Sequence, residues 1–256
     1  RSRDLSLSLS PFYSVTRQQA ADGTVVELYS FSDTIVTNEN GSFDGSAHTL
    51  QEATRSLEVF VQRFGPYPYD RMLVVQGDFP DGMEFSGLVF VSSAWFYYFD
   101  GQPTNYLTLI TVHEVAHQWW YARVGNDSAM APWLDEALAT YSEYVYFEEQ
   151  YPMLKDWWWT FRVANFYPQG TVDSTVYEFS TLREYINAIY LRGVQMLHNL
   201  RVDIGTDAFY ALLKDYVTAG DGRIATPQLF WELVPEERYA STGNTRQEFF
   251  REPDFR

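Results

Sequence analysis

The sequence predicts an α+β fold, with a small mixed sheet near the start of the chain and a mainly helical remainder. Three observations carry this expectation. Stretches with strand character, at 12–17, 24–31, 72–76 and 88–92, all precede Trp95. From Asn105 to Val124 no proline or glycine interrupts a largely apolar run, which reads as one long helix stopped near Gly125. Beyond Gly205, apolar residues recur at helical spacing: Phe209, Leu212, Leu213 and Tyr216, then Leu229, Phe230 and Leu233.

Taken in order, Leu5, Leu7 and Leu9 alternate with Ser6, Ser8 and Ser10, the pattern of a half-buried strand. Asp22-Gly23 is the turn between the strands at 12–17 and 24–31. Residues 37–46, rich in Asn, Gly, Ser and Asp, read as a linker. A helix over 47–64 follows, with Leu50, Leu57, Val61 and Phe64 along one face, and Gly65-Pro66 ends it. A further helix starts near Pro132, a favoured first-turn residue. Trp157, Trp158 and Trp159 cannot share one helix face, so at least one should be exposed or cover a neighbouring domain. Residues 167–180 are loop-like. Thr226-Pro227 opens a last helix that Pro235 stops.

Composition narrows the function classes. The chain has 256 residues, of which 46% are hydrophobic and 18% aromatic, enough for a sizeable packed core. A formal net charge of −16 argues against nucleic-acid binding, which needs a basic footprint. No apolar run reaches the length of about 18 residues that a membrane span requires. The chain contains no cysteine, so disulfides, thiolate metal ligands and a cysteine nucleophile are excluded; the compartment stays open.

The chemistry concentrates in His113-Glu114-Val115-Ala116-His117. On a helix, residues four apart project from one face, so both imidazoles can bind one metal ion while Glu114 reaches a water beside it. Two ligands leave such a site incomplete, since catalytic zinc commonly takes three protein ligands and keeps one position open. Glu136, nineteen residues after His117 on the helix that starts near Pro132, is the candidate third. Glu143 lies seven residues further along the same helix face, where a carboxylate can accept the other ring N–H of a histidine ligand.

His113-Glu114-Val115-Ala116-His117, followed by Glu136 within Trp133-Leu134-Asp135-Glu136-Ala137, resembles the gluzincin zinc metallopeptidases of the aminopeptidase N and leukotriene-A hydrolase type. Three further segments match, of which Phe64-Gly65-Pro66-Tyr67-Pro68-Tyr69 resembles the family's short loop before its next strand. Gly82-Met83-Glu84 resembles the family's Gly-x-Met-Glu-Asn on an edge strand beside the cleft, and Tyr190-Leu191-Arg192-Gly193 resembles its Tyr-x-Lys-Gly. The resemblance implies a thermolysin-like catalytic domain over 37–256, preceded at 1–36 by the last strands of a truncated β-domain. It implies one Zn²⁺ held by His113, His117 and Glu136, with Glu114 as general base and Tyr190 as oxyanion donor. Gly82, Met83 and Glu84 would bind a peptide substrate, with Glu84 on its free amino group. Phe85 stands where the family has Asn, and Arg192 where it has Lys. The remaining histidine of that helix, His198, reads as structural, and Tyr185 as a lesser alternative to Tyr190.

The expected activity is removal of N-terminal residues from peptides. Three alternatives stay open: an endopeptidase using the same zinc site, a non-catalytic binding module, and a zinc-binding fragment that is inert without flanking domains.

Overall fold

Asp22 and Gly23 reverse the chain: Gly23 takes φ = 95°, and its amide bonds back to the Ala20 carbonyl at 3.0 Å. The strands on either side, β1 (Ser14–Gln19) and β2 (Val25–Ser30), pair antiparallel. The computed structural model describes residues 2–39 and 41–256. β3 (Ile35–Asn38) and β4 (Gly41–Asp44) form a two-stranded ribbon where a linker was expected. An Asn- and Gly-rich stretch serves a hairpin as readily as a linker, and composition alone does not separate them.

α1 (Gly45–Phe64) starts where the Asp44 carboxylate accepts the amides of Ser46 (2.9 Å) and Ala47 (3.1 Å). It buries Leu50, Ala53, Leu57 and Phe60, and ends at Gly65, whose φ of 107° suits glycine. β5 (Arg71–Gly77), β6 (Gly82–Phe85) and β7 (Leu88–Ser92) complete a five-stranded sheet in the order β1-β2-β5-β7-β6. Its three inner strands are parallel; β1 and β6 lie antiparallel at the edges. The division expected at residue 36 therefore cuts through one sheet, because β2 pairs with β5 from Val25↔Arg71 to Tyr29↔Val75.

The stretch around Leu5, Leu7 and Leu9 is not a strand, and the three leucines are 77–93% exposed. No described strand pairs with it, and without a partner the alternation has nothing to bury. Polar anchors hold its start instead: Arg3 donates to the Tyr121 and Asn126 carbonyls, and Asp4 accepts from the Ser86 amide and the Tyr121 hydroxyl.

After the short α2 (Ser93–Tyr97) comes α3 (Tyr106–Ala116), capped by the Asn105 side chain on the Thr108 amide. From Leu107 to Ala116 every residue is buried, so α3 is the central helix, packed between α1 and α4 (Trp133–Gln150). The long helix expected as far as Gly125 breaks early. Gln118–Arg123 is a wider turn in which Trp120 (φ −96°, ψ 54°) and Tyr121 (φ 169°, ψ −62°) leave helical geometry. Adjacent indoles explain the break. Trp119 donates to the Gly65 carbonyl (3.0 Å) at the end of α1, while Trp120 donates to Ser142 Oγ (2.9 Å) on α4. Both rings are wholly buried, against different walls.

Beyond α4 lie α5 (Lys155–Trp158), the expected loop, and α6 (Leu182–Tyr185). A π-helical turn, Ile186–Leu191, then leads into α7 (Arg192–Ile204) and α8 (Thr206–Gly220). A side chain at Gly193 would overlap Ala137, so this glycine lets α7 lie close on α4. None of the three consecutive tryptophans is fully exposed: Trp158 is buried, Trp157 stacks on Phe161, and Trp159 meets His198 edge-on. Among the described residues no helix is long and apolar enough to cross a membrane.

Candidate metal centre

α3 ends in the residues that matter most. His113 and Glu114 occupy its last turns and His117 is its C-terminal cap. One helical turn apart, the two rings bring their Nε2 atoms within 3.0 Å of each other. α4 supplies Glu136 from its first turn, with Oε2 3.3 Å from His113 Nε2 and 3.5 Å from His117 Nε2. The sequence expectation that these three side chains converge is met by the geometry.

The outer nitrogens settle the tautomers. His117 Nδ1 lies 3.1 Å from the Trp120 carbonyl, which can only accept, so this nitrogen carries the hydrogen. The break after His117 turns that carbonyl inward. His113 Nδ1 lies 2.9 Å from Glu143 Oε1. Arg162 binds both oxygens of Glu143 (2.9 Å each) and the Trp158 indole donates to one, so Glu143 is an acceptor towards His113. In the neutral rings both Nε2 lone pairs then face the Glu136 carboxylate. Three electron-pair donors with no hydrogen between them repel unless a cation joins them. Zinc with ligand bonds of about 2.0–2.2 Å in a tetrahedron holds its ligand atoms about 3.3 Å apart; the three separations here run from 3.0 to 3.5 Å. The residues therefore fit a metal ion of this kind.

Electrostatics agree. For the polypeptide alone, burial opposes charge on both rings, but the carboxylates around them prevail. Glu136 and Glu143 raise His113 to about 9, while Glu84, Asp135 and Glu136 raise His117 well above its ordinary value. Burial likewise pushes Glu136 up, and the two imidazoles reverse this and hold it well below the usual carboxylate range. The cluster is short of positive charge, which a dication held by these residues would supply.

Glu114 is buried beside the centre, and burial pushes its carboxyl up to about 8. Its Oε2 has no hydrogen-bond partner among the described residues. Its other side packs against Gly82 on β6. Gly82, Met83 and Glu84 line a cleft of about 500 Å³ that His113, Glu114, His117 and Glu136 also line. Tyr190 comes from the π-helical turn; its ring lies parallel to that of His113, with centroids 6.0 Å apart. Burial, then Glu136, raises its hydroxyl well above the ordinary value. Tyr185 meets Tyr190 edge-on at 5.5 Å, and His198 sits apart, against Tyr141 and Trp159.

Two residues of the site carried no signal of their own in the sequence. Arg162 lies on an irregular helical turn well beyond the motif, and only the fold brings it to Glu143. Asp135 lies inside the quoted motif, yet its contact with His117 Nδ1 at 2.9 Å depends on how α4 crosses α3.

Comparisons with known proteins point the same way. Residues 48–251 match the model of the peptidase family M1 domain. Aminopeptidase M1 of Arabidopsis thaliana is 24% identical over 220 residues, which cover 80% of this chain and 24% of that protein. Human endoplasmic reticulum aminopeptidase 1 is 26% identical over 243 residues, covering 88% of this chain and 25% of that protein. The crystal structure of the M1 zinc metallopeptidase from Deinococcus radiodurans superposes with a TM-score of 0.65 at 24% identity, covering 91% of this chain and 50% of that one. A mutant of the same enzyme bound to a Tyr-Ser-Ala substrate gives 0.64 at 23% identity, covering 91% of this chain and 51% of that one. At such identities the likeness to solved structures shows the fold, a mixed sheet beside a helical region. The chain spans about a quarter of the length of the curated relatives and about half that of the solved chains.

Proposed function

The chain belongs to peptidase family M1, and from that premise we propose that it hydrolyses peptide bonds with zinc held by His113, His117 and Glu136, removing residues from the amino terminus of a peptide. The observation that carries this reading is the Glu114 carboxylate, buried beside the three converging donors with one oxygen left without a partner among the described residues. A buried polar oxygen in that state is costly unless a water or a substrate group meets it.

Zinc, when bound, supplies Lewis acidity, polarising a carbonyl oxygen and easing ionisation of water. Glu114 takes the proton from the attacking water at its free oxygen and delivers it to the leaving amine. The Tyr190 hydroxyl, kept protonated by its burial, donates to the carbonyl oxygen as negative charge develops there. Glu84, on the cleft wall, faces the substrate's ammonium group, and this charge-assisted bond favours free amino termini. Gly82 and Met83 complete that wall. The aminopeptidase names of the relatives, and the tripeptide bound by the Deinococcus enzyme, support the substrate class.

The test is cleavage of one peptide with a free or an acetylated amino terminus by the zinc-loaded chain and its Glu114→Gln variant. The expected result is cleavage of the free peptide only, lost in the variant while zinc is retained. Equal cleavage of both peptides would favour an endopeptidase with the same centre, and full activity in Glu114→Gln would remove Glu114 as the base. If only a longer polypeptide with flanking domains cleaves, the cleft is completed from outside this chain.

A further inference from the structure

Each of the two imidazoles has a buried carboxylate behind it. For His113 it is Glu143, whose charge is shared with Arg162. For His117 it is Asp135, the residue before Glu136. Asp135 is 2% exposed, and its Oδ1 lies 2.9 Å from His117 Nδ1. Its Oδ2 accepts the Ser128 hydroxyl at 2.9 Å, while Oδ1 has no hydrogen-bond donor of good geometry among the described residues. The Trp120 carbonyl takes the Nδ1 hydrogen at 3.1 Å, and Asp135 Oδ1 lies beside that N–H without accepting it in good geometry. Among the described residues Asp135 has no ion pair with an arginine or lysine, so its charge bears on His117 undivided.

We propose that Asp135 is a positioning residue of the metal centre: its carboxylate, set against Nδ1 of His117, orients that ring and strengthens its Nε2 as a ligand. An anionic oxygen beside the Nδ1–H raises the electron density of the imidazole and favours the tautomer that the Trp120 carbonyl holds, which tightens metal binding. The two rings are thereby supported differently, His113 by a carboxylate that Arg162 also pairs and His117 by one that no arginine or lysine pairs among the described residues. The opposing assignment is local: Asp135 could serve only to hold the loop at Ser128.

The inference rests on the zinc centre proposed above. It is tested by measuring zinc affinity of the full chain through chelator competition, for the parent, Asp135→Asn and Ser128→Ala. Asp135→Asn keeps the shape and an acceptor for Ser128 but removes the charge. Ser128→Ala removes the loop bond and leaves the carboxylate beside His117. The expected result is binding about ten- to a hundredfold weaker in Asp135→Asn, with parent-like circular dichroism, and parent-like affinity in Ser128→Ala. Equal affinity in the parent and Asp135→Asn overturns the assignment while leaving the zinc centre standing. An equal loss in Ser128→Ala, or an unfolded Asp135→Asn, makes the carboxylate a structural anchor and overturns it too. A parent that binds no zinc overturns the centre and this inference together.

Discussion

Gly82 lies so close to the Glu114 carboxylate that a methyl group at position 82 would overlap Oε1, Cδ and Cγ together. The edge strand β6 thus closes on the central helix at the one residue that has no side chain. Gly82→Ala should push Glu114 aside and leave the three metal-facing side chains alone. The expected outcome is unchanged zinc content with turnover lowered about a hundredfold, the cost of a displacement of about 1 Å at a reacting group. Metal analysis beside steady-state kinetics checks both halves; parent-like turnover would mean that β6 gives way instead.

The Tyr190 ring lies parallel to that of His113 and lines the same cleft as Gly82 and Glu114. Tyr190→Phe removes one donor and little volume. It should lower kcat by about a hundred- to a thousandfold with KM and zinc content nearly unchanged, as expected for a bond made in the transition state. A raised KM at constant kcat would assign the hydroxyl to substrate binding.

Glu143 is wholly buried, and Arg162 binds both of its oxygens. Arg162→Leu would strand that charge in the core. The expected loss is about 3–5 kcal/mol of stability, read from urea unfolding, because a buried charge without its partner is costly. A loss within about 0.5 kcal/mol would show that His113 and the Trp158 indole suffice for Glu143.

His48 is a second, separate pH-sensitive group. Its Nε2 lies 2.8 Å from Thr108 Oγ1 and its ring stacks on Phe99. Burial, aided by Arg55, lowers its pKa to about 4. The unfolded chain takes up a proton there near pH 6.5, whereas the folded chain refuses it until about 4. Between those values the unfolded state binds more protons, so stability falls as the pH is lowered through that window and levels off below it. His48→Gln should remove that part of the slope. Unfolding free energies that run parallel for parent and variant across the window would contradict this.

What could be read beforehand was whatever depends on local spacing. The pairing of His113 with His117 follows from one turn of helix, and Glu136 from a second helix after a short loop. The strands at 24–31, 72–76 and 88–92 were legible in their apolar runs and punctuation, whereas the edge strand at Gly82 was expected only through the family resemblance. What escaped depends on neighbours. The helix through Trp119 and Trp120 breaks because two adjacent indoles must reach walls built by α1 and α4, which no window of sequence contains. Leu5, Leu7 and Leu9 carry a strand pattern without a strand to pair with. Asp135 and Arg162 enter the site only through the crossing of α4 over α3 and the fold of the segment after α4.

The claim on which all of this turns is that His113, His117 and Glu136 hold one zinc ion. Its most direct test is the zinc content of the parent chain and of Glu136→Ala after exhaustive dialysis against buffer without metal. The account predicts one zinc per chain in the parent and essentially none in the variant. One zinc per chain in both, or none in either, would contradict it.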